Sequence, residues 1–358
     1  MKTLAIETSC DDTSLAIISH TQGGTFKVEK LIAYSQIADH TKFGGVLPEI
    51  ASRLHSEKII ALLQEIGWDE IAKVNFISTT THPGLPGSLV VGKSVATMLA
   101  EYFHKPLVPV NHIHGHIFSV LLDRKLTDIA FPMVILTASG GHNDIYLVET
   151  EQLGNPDQKS FAPCQVGSPK GWEVIKKAYT LDDASGEAFD KVSKMLGGPY
   201  PGGPRISLQA KKGGPNERYH FKRIFLPKDA DGNYTFSFSG MKSQVSFLLG
   251  KLKNENKNLT ENDISDIAYE FQEATIETLA NRLLKCRKEY DAKTIAIAGG
   301  VSANDRLVEY IENSLKSSEK ILGKFSSPKF LSPAKKVYST DNGAMIGVAG
   351  ILHQLNIL

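Results

Sequence analysis

Two stretches decide the fold: AIETSCDDTSLAII at residues 5–18 and ILTASGGHNDIYLV at residues 135–148. Each runs apolar strand, small and polar turn, apolar strand, which is the pattern of a β-hairpin. Around the first, residues 3–7, 15–19 and 30–36 read as three strands divided by polar or Gly-containing turns, an antiparallel meander. A helix with apolar residues at helical spacing follows at 50–66, then a short buried strand at 74–78, a second helix at 88–103 and a strand at 107–110. The order is βββαβαβ. Around the second hairpin the theme returns, with strands at 133–138 and 145–148, a third strand at 161–166 and a helix at 186–196. Beyond it lie a long amphipathic helix at 263–290, a strand at 294–298, a helix at 304–315 and a last helix at 341–354.

Identity between the two hairpins is weak, but their chemistry and the element order after each are alike. The expected class is therefore α/β, a two-lobed actin/hexokinase/Hsp70-like (ASKHA) fold with duplicated βββαβαβα halves, in which two lobes clamp a nucleotide and each hairpin turn faces phosphate. A doubly wound parallel sheet is the alternative, because strand order is not readable from sequence. The expected lobes are 1–128 plus 336–358 and 129–335, the last helix packing back on the first lobe and making it discontinuous. Residues 197–240 carry PYPGGP, KKGGPNERYHFKR and PKDADGNY in succession. That is too long for an ordinary connection, so the stretch reads as a functional loop system or as partly disordered. KLKNENKNLTEND, residues 251–263, reads as a solvated linker.

The chain has 358 residues, enough for two large lobes, and so excludes a small disulfide- or metal-stapled scaffold. Its 40 Lys+Arg against 39 Asp+Glu leave a formal charge of +1, so any RNA contact has to be local. Cys10, Cys164 and Cys286 are widely spaced and form no CxxC pair, which argues for a reducing compartment and against a thiolate metal site. The N-terminus turns polar too early for a signal peptide, and no apolar run reaches the length of a membrane span, so the expected location is the cytoplasm, with no membrane partner.

His112, His114 and His116 sit in NHIHGHIF just after a strand. On a helix, His112 and His116 share a face and could bind one metal, whereas His114 points elsewhere. The HExxH glutamate of zinc peptidases is missing. Gly140 and Gly141, Gly202 and Gly203, and Gly299 and Gly300 each adjoin a predicted element, where backbone N–H groups can approach an anion; any one pair alone reads as an ordinary turn. HPGLPGS, residues 82–88, is a further candidate loop or simply the entry to a helix. Acidic candidates are Asp11 and Asp12, Asp182 and Asp183, Glu187 and Asp190, and Asp341, the last also placed as a natural helix cap. Cys10 has no cationic neighbour in sequence and reads as a small buried residue.

In order, ETSCDDT, GGVLPEIASRLHSEKI, NHIHGHIFS, SGGH, LDDASGEAFDKVSKMLGGPYPGGP, FSFSGMKS, AGGVSAN and STDNGAMIG closely resemble the TsaD family of tRNA threonylcarbamoyladenosine transferases, bacterial in type, from the first strand to the last helix. The resemblance implies the ASKHA fold and transfer of a threonylcarbamoyl group from threonylcarbamoyl-adenylate, bound in the interlobe cleft, to N6 of the adenosine 3′ of the anticodon in tRNAs reading ANN codons. It implies one divalent metal ion per subunit, Fe(2+) or Zn(2+), on His112, His116 and Asp341. By the same match, Thr137, Ala138, Ser139, Gly140 and Gly141 with Asp190, Gly203 and Asn304 hold the nucleotide-linked substrate. It further implies a TsaB-like paralogue and a TsaE-like ATPase as partners, besides tRNA. Asp11 and Asp12 lie at the cleft by fold analogy, where they position or deprotonate the attacking amine. His82, Asp12 and Asn143 depart from the residues usual in the family. The rival classes are a metallopeptidase, an older label of the family, and an inactive scaffold of the same fold. Lys211, Lys212, Arg218, Lys222 and Arg223 form a basic cluster that reads either as an RNA contact or as a solvated loop.

Overall fold

Apolar residues on the first three strands pair as their alternation demands. In the computed structural model, which describes residues 1–150, 171–322 and 328–358, β1 (Lys2–Glu7), β2 (Asp12–His20) and β3 (Phe26–Ser35) form the antiparallel meander, Leu4 opposite Ile17 and Ile6 opposite Leu15. Then come α1 (Ile37–Thr41), α2 (Pro48–Ile66), α3 (Trp68–Ala72), β4 (Phe76–His82), α4 (Pro86–Tyr102), β5 (Leu107–Asn111) and α5 (His112–Phe118). β4 pairs with β1 and β5 with β4, both parallel, so the sheet order is β3-β2-β1-β4-β5. Two antiparallel pairs in this sheet rule out the all-parallel doubly wound alternative here. α2 and α4 each open on a proline, whose missing N–H is no loss in a first turn. They lay Ile59, Leu63, Ala96 and Leu99 onto Leu4, Ile6, Leu15 and Ile17, a core in which each large side chain contributes about 1.5–3 kcal/mol by burial.

The remaining elements are β6 (Met133–Ala138), β7 (Asn143–Thr150), β8 (Trp172–Thr180), α6 (Ser185–Met195), α7 (Gly202–Ala210), β9 (Tyr234–Phe236), α8 (Ser239–Asn254), α9 (Glu261–Glu289), β10 (Thr294–Ala298), α10 (Asp305–Leu322), β11 (Lys329–Leu331) and α11 (Gly343–Gln354). The second sheet runs β11-β10-β6-β7-β8-β9. Taken backwards from β8, the order β8-β7-β6-β10-β11 repeats β3-β2-β1-β4-β5, with β9 added at the edge. The duplication suggested by the two hairpins is thus present in the strand order. The strand expected at 161–166 lies outside the described residues, and β8 fills the third position of this sheet. The core of this second unit packs Val134, Leu136, Ile295 and Ile297 of the sheet against Ile267, Phe271 and Leu279 of α9.

Two expectations about connections need correction. The stretch 197–240 is not one loop throughout, since it contains α7 and β9 and enters α8, but residues 211–233 between α7 and β9 form a long irregular connection as expected. Of the linker expected at 251–263, only residues 255–260 connect helices; the rest is the end of α8 and the start of α9. Its polarity reflects solvent on most sides, while Leu252 is buried and Thr260 and Asp263 form a capping box that opens α9.

The described residues fall into two compact units, Met1–Met133, Val148–Val174 and Pro333–Leu358 in one, Val134–Leu147 and Ile175–Ser332 in the other. α11 lies on β1 and β2 of the first unit, and every residue from Gly343 to Leu352 is buried, the signature of a helix apolar all round. Close approach requires glycine: a Cβ at Gly343 would stand 2.8 Å from the Ala16 nitrogen, and one at Gly347 would stand 2.5 Å from the Ile18 side chain. No described helix is long and apolar enough to cross a membrane.

Candidate metal centre and substrate loops

β5 ends at Asn111, whose Oδ1 accepts the Ile113 N–H at 2.8 Å and caps α5. With that start, His112 and His116 are four residues apart on one helical face, their rings perpendicular and 4.6 Å apart. Gly115 between them faces α11, where a Cβ would meet Ile346 Cδ1 at 2.8 Å and Met345 at 3.2 Å. The small residue therefore lets α5 close on α11 and brings in Asp341, two residues ahead of that helix. Asp341 Oδ1 lies 3.1 Å from His116 Nε2 and 3.6 Å from His112 Nε2. The cap of α11 is not Asp341 but Asn342, whose Oδ1 accepts the Met345 N–H at 3.0 Å.

The ligating atoms of His112, His116 and Asp341 all lie within 4.8 Å of one another. Tetrahedral ligands on bonds of about 2.1 Å stand about 3.4 Å apart, so the three side chains have to draw together by about 1 Å to share one small divalent ion, which would leave a position open. Both ring nitrogens of His116 are buried; Nδ1 has no hydrogen-bond partner, and Nε2 faces the Asp341 carboxylate without forming a well-aligned hydrogen bond, an arrangement that fits a metal ligand. Burial works against a charge on His112, but the Asp341 and Glu7 carboxylates outweigh it and hold the imidazole up at about 9. His114 points away, its ring 6.3 Å from that of His353, and burial pushes it down to about 4.

Glu7 escaped the sequence reading. It closes β1 and is fully buried, Oε1 accepting the Ser9 N–H at 2.5 Å and Oε2 the Thr80 hydroxyl at 2.5 Å, with His112 Nδ1 at 3.2 Å from Oε2. Burial disfavours its charge, yet His112 draws its pKa below the usual carboxylate range. The available signal was a lone carboxylate ending an otherwise apolar strand.

Asp11 and Asp12 lie in and after the β1–β2 turn, in the same unit. Asp12 opens β2 opposite Ser35 and has a buried Oδ1 without a partner. Burial, opposed by a hydrogen bond from Ser35 and reinforced by the nearby carboxylates of Asp11, Asp341 and Glu7, pushes its pKa up to about 7. Burial and Asp11 likewise raise the Cys10 thiol far above its ordinary range, so it is no nucleophile. His55 Nε2 donates to the Cys10 carbonyl at 3.0 Å and the Leu85 N–H to the Ser9 carbonyl at 2.8 Å. Part of HPGLPGS thus clasps the hairpin turn.

The other candidates gather in the second unit at the ends of β6 and β10. Ser139 closes the β6–β7 turn with its N–H on the His142 carbonyl at 2.8 Å, and Thr137 is buried beside Asp144. Open space surrounds the Cα of Gly140, Gly141, Gly203 and Gly300, no protein atom standing within 4 Å of an added Cβ. Gly299 differs: its φ is +85° and a Cβ would meet the Ala138 carbonyl at 2.4 Å. Asp190 Oδ1 accepts the Gly202 N–H at 2.5 Å and so caps α7. Asn304 Nδ2 donates to Ser207 Oγ at 3.1 Å and Gln272 Oε1 at 3.0 Å, and its Oδ1 accepts the Arg306 N–H. Both residues therefore hold α7 in place beside whatever contact they make with a ligand. Asn143, a departure from the family pattern, is buried and bridges to Ser185 through both its amide atoms, joining the turn to the start of α6. His82 meets Thr81 at 3.0 Å and Asn111 at 3.2 Å. Asp182 accepts from Ser237, Phe238 and Ser239, and Asp183 pairs with Lys191 and Lys242, so this acidic pair is structural.

Three of the five basic residues are paired: Arg223 with Glu270 and Glu277, Arg218 with Asp263 at 3.6 Å, and Lys211 with Asp305 at 3.7 Å.

Comparison with known proteins bears on both fold and activity. Among solved structures, full-length HypF in a phosphate- and nucleotide-bound form matches with TM-score 0.55 at 13% identity, over 99% of this chain and 55% of that longer one. A ROK family protein from Streptococcus pneumoniae in complex with sucrose matches with TM-score 0.50 at 12% identity, over 99% of both chains. These bear on the fold alone, which is the ASKHA type. Proteins named tRNA N6-adenosine threonylcarbamoyltransferase are 39% identical in Kosmotoga olearia, over 97% of this chain and 92% of that one, and 37% identical in Staphylococcus aureus (strain Newman), over 97% and 90%. A profile described as TsaD, tRNA N6-adenosine threonylcarbamoyltransferase, matches residues 27–348. With His112, His116 and Asp341 drawn together in the first unit and the glycine turns in the second, the chain belongs to the TsaD family of tRNA-modifying transferases.

Proposed function

We propose that the protein transfers the threonylcarbamoyl group from threonylcarbamoyl-adenylate to N6 of the adenosine 3′ of the anticodon in tRNAs reading ANN codons. The observation that carries the metal-assisted form of this reading is the convergence of His112, His116 and Asp341 within 4.8 Å. These three would hold one divalent ion, Fe(2+) or Zn(2+), which when bound polarises oxygens of the mixed anhydride. Backbone N–H groups of the turn Thr137, Ala138, Ser139, Gly140 and Gly141 receive the phosphate side, and the open faces of Gly203 and Gly300 leave room for the nucleoside. Asp190 and Asn304 orient α7 and offer their remaining acceptor capacity to hydroxyl groups of the substrate. Asp12, with acidity near neutrality, accepts a proton from the attacking amine, and Asp11 positions it. An exocyclic adenine amine is barely basic, so positioning contributes more than proton removal. Cytoplasmic action with a TsaB-like paralogue and a TsaE-like ATPase belongs to the same reading.

A peptidase reading lacks the HExxH glutamate beside the histidines. Glu7, behind His112, is surrounded by Ser9, Thr80 and His112 and is fully buried, which keeps it from activating a water.

The test measures bound metal after dialysis and threonylcarbamoyl transfer to tRNA for His112→Ala, His116→Ala, Asp341→Ala and His114→Ala. The first three lose metal and transfer by more than about 100-fold, and the fourth keeps both within about 3-fold. Equal loss in His114→Ala would overturn the assignment.

A further inference from the structure

Of the two candidate ligand histidines, only one has its outward nitrogen held. His112 Nδ1 lies 3.2 Å from Glu7 Oε2 and 3.1 Å from Ser9 Oγ, whereas His116 Nδ1 is buried without a hydrogen-bond partner. Glu7 is itself immobile. It ends β1, its Oε1 takes the Ser9 N–H and its Oε2 takes the Thr80 hydroxyl from the end of β4, so two adjacent strands of the sheet aim one carboxylate oxygen at the ring. A carboxylate accepts and cannot donate, so the proton in this contact belongs to His112 Nδ1. That leaves Nε2, on the Asp341 side where the metal-ligand atoms meet, as the nitrogen available to serve as ligand.

We propose that Glu7 is a positioning residue for the metal centre: it holds the His112 ring in place and keeps a proton on Nδ1, so that Nε2 is the nitrogen presented to the ion. This rests on the metal reading above. Ligand histidines held by an outer carboxylate generally lose about 10–100-fold in metal affinity when that partner is removed. The same asymmetry makes His112 the fixed ligand and His116 the one that adjusts. Ser9 Oγ is the competing acceptor for the same proton. A serine hydroxyl can also donate, so it leaves the tautomer open, whereas the carboxylate does not.

Zn(II) is the probe. Its affinity is measured by competition with a chromogenic chelator for the parent, Glu7→Gln, Glu7→Asp and Ser9→Ala, with circular dichroism to confirm folding. Glu7→Gln should bind about 10–100-fold more weakly, because its amide presents a donor to one of the N–H or O–H groups that Glu7 now satisfies. Glu7→Asp should recover part of the loss, and Ser9→Ala should stay within about 3-fold. Should Glu7→Gln fail to fold, two-bond 1H–15N spectra of the Zn(II)-loaded parent decide the matter, the proposal requiring His112 to carry its proton on Nδ1. Parent-like affinity in a folded Glu7→Gln, a loss confined to Ser9→Ala, or a proton on Nε2 overturns the positioning role and leaves the metal reading standing. Failure of the parent to bind Zn(II) or Fe(II) overturns the metal reading itself.

Discussion

At the scale of single residues, the first unit concentrates acids that its neighbours keep apart in charge. Glu7 stays ionised because His112 sits against it, while Asp12, half-buried and with one oxygen unpartnered, is pushed up to about 7. The folded protein holds the Asp12 proton more tightly than the unfolded chain does, so its stability falls as pH rises from about 4 through 7. Asp12→Asn in metal-free protein should therefore leave stability at pH 4 unchanged and add about 1–2 kcal/mol at pH 8, after allowance for the side chain's partial exposure. Urea unfolding at the two pH values checks this; an equal effect at both would remove Asp12 from the titrating groups. Sequence placed Asp12 in the hairpin but could not reveal its burial, which comes from β3 and the carboxylates gathered by the fold.

Among the elements, the strand-to-helix turn after β10 separates two kinds of glycine. Gly299 has a left-handed φ and packs on the Ala138 carbonyl, whereas Gly300 faces open space. Gly299→Ala should cost about 2–3 kcal/mol of stability, from a disfavoured backbone and a forced shift of β6. Gly300→Val should fold with near-parent stability and bind an adenylate analogue at least about 10-fold more weakly, since the side chain fills space the nucleoside needs. Thermal melts and calorimetric titration distinguish them. Unchanged ligand affinity in folded Gly300→Val would place the nucleotide elsewhere. The paired glycines were visible in the sequence, but not their division of labour: φ and the nearness of Ala138 follow from how β10 lies beside β6.

For the molecule as a whole, a formal charge of +1 predicts weak, salt-sensitive tRNA binding by the isolated chain. Arg223 is held by Glu270 and Glu277, and its loss would strand the buried Glu270, so Arg223→Ser should destabilise by about 1–3 kcal/mol rather than report on RNA. Lys212 and Lys222 are exposed, and changing both to Ser should lower the slope of log affinity against log salt by about 0.7 per lysine if this face meets the phosphates. Slopes identical to the parent's would make the cluster a solvated surface. What the sequence by itself determined is the set of local structures: the two hairpins, the helix that puts His112 and His116 on one face, and the order of the main elements in the first half. Those follow from periodicities of two and 3.6 residues and from turn chemistry, all properties of near neighbours. Only the tertiary structure decided the strand order of each sheet and the third strand of the second. It alone set Asp341 beside histidines more than 200 residues earlier, through Gly115 meeting α11, and put Glu7 behind His112. Such contacts depend on which apolar faces are buried together, and spacing along a chain does not encode that.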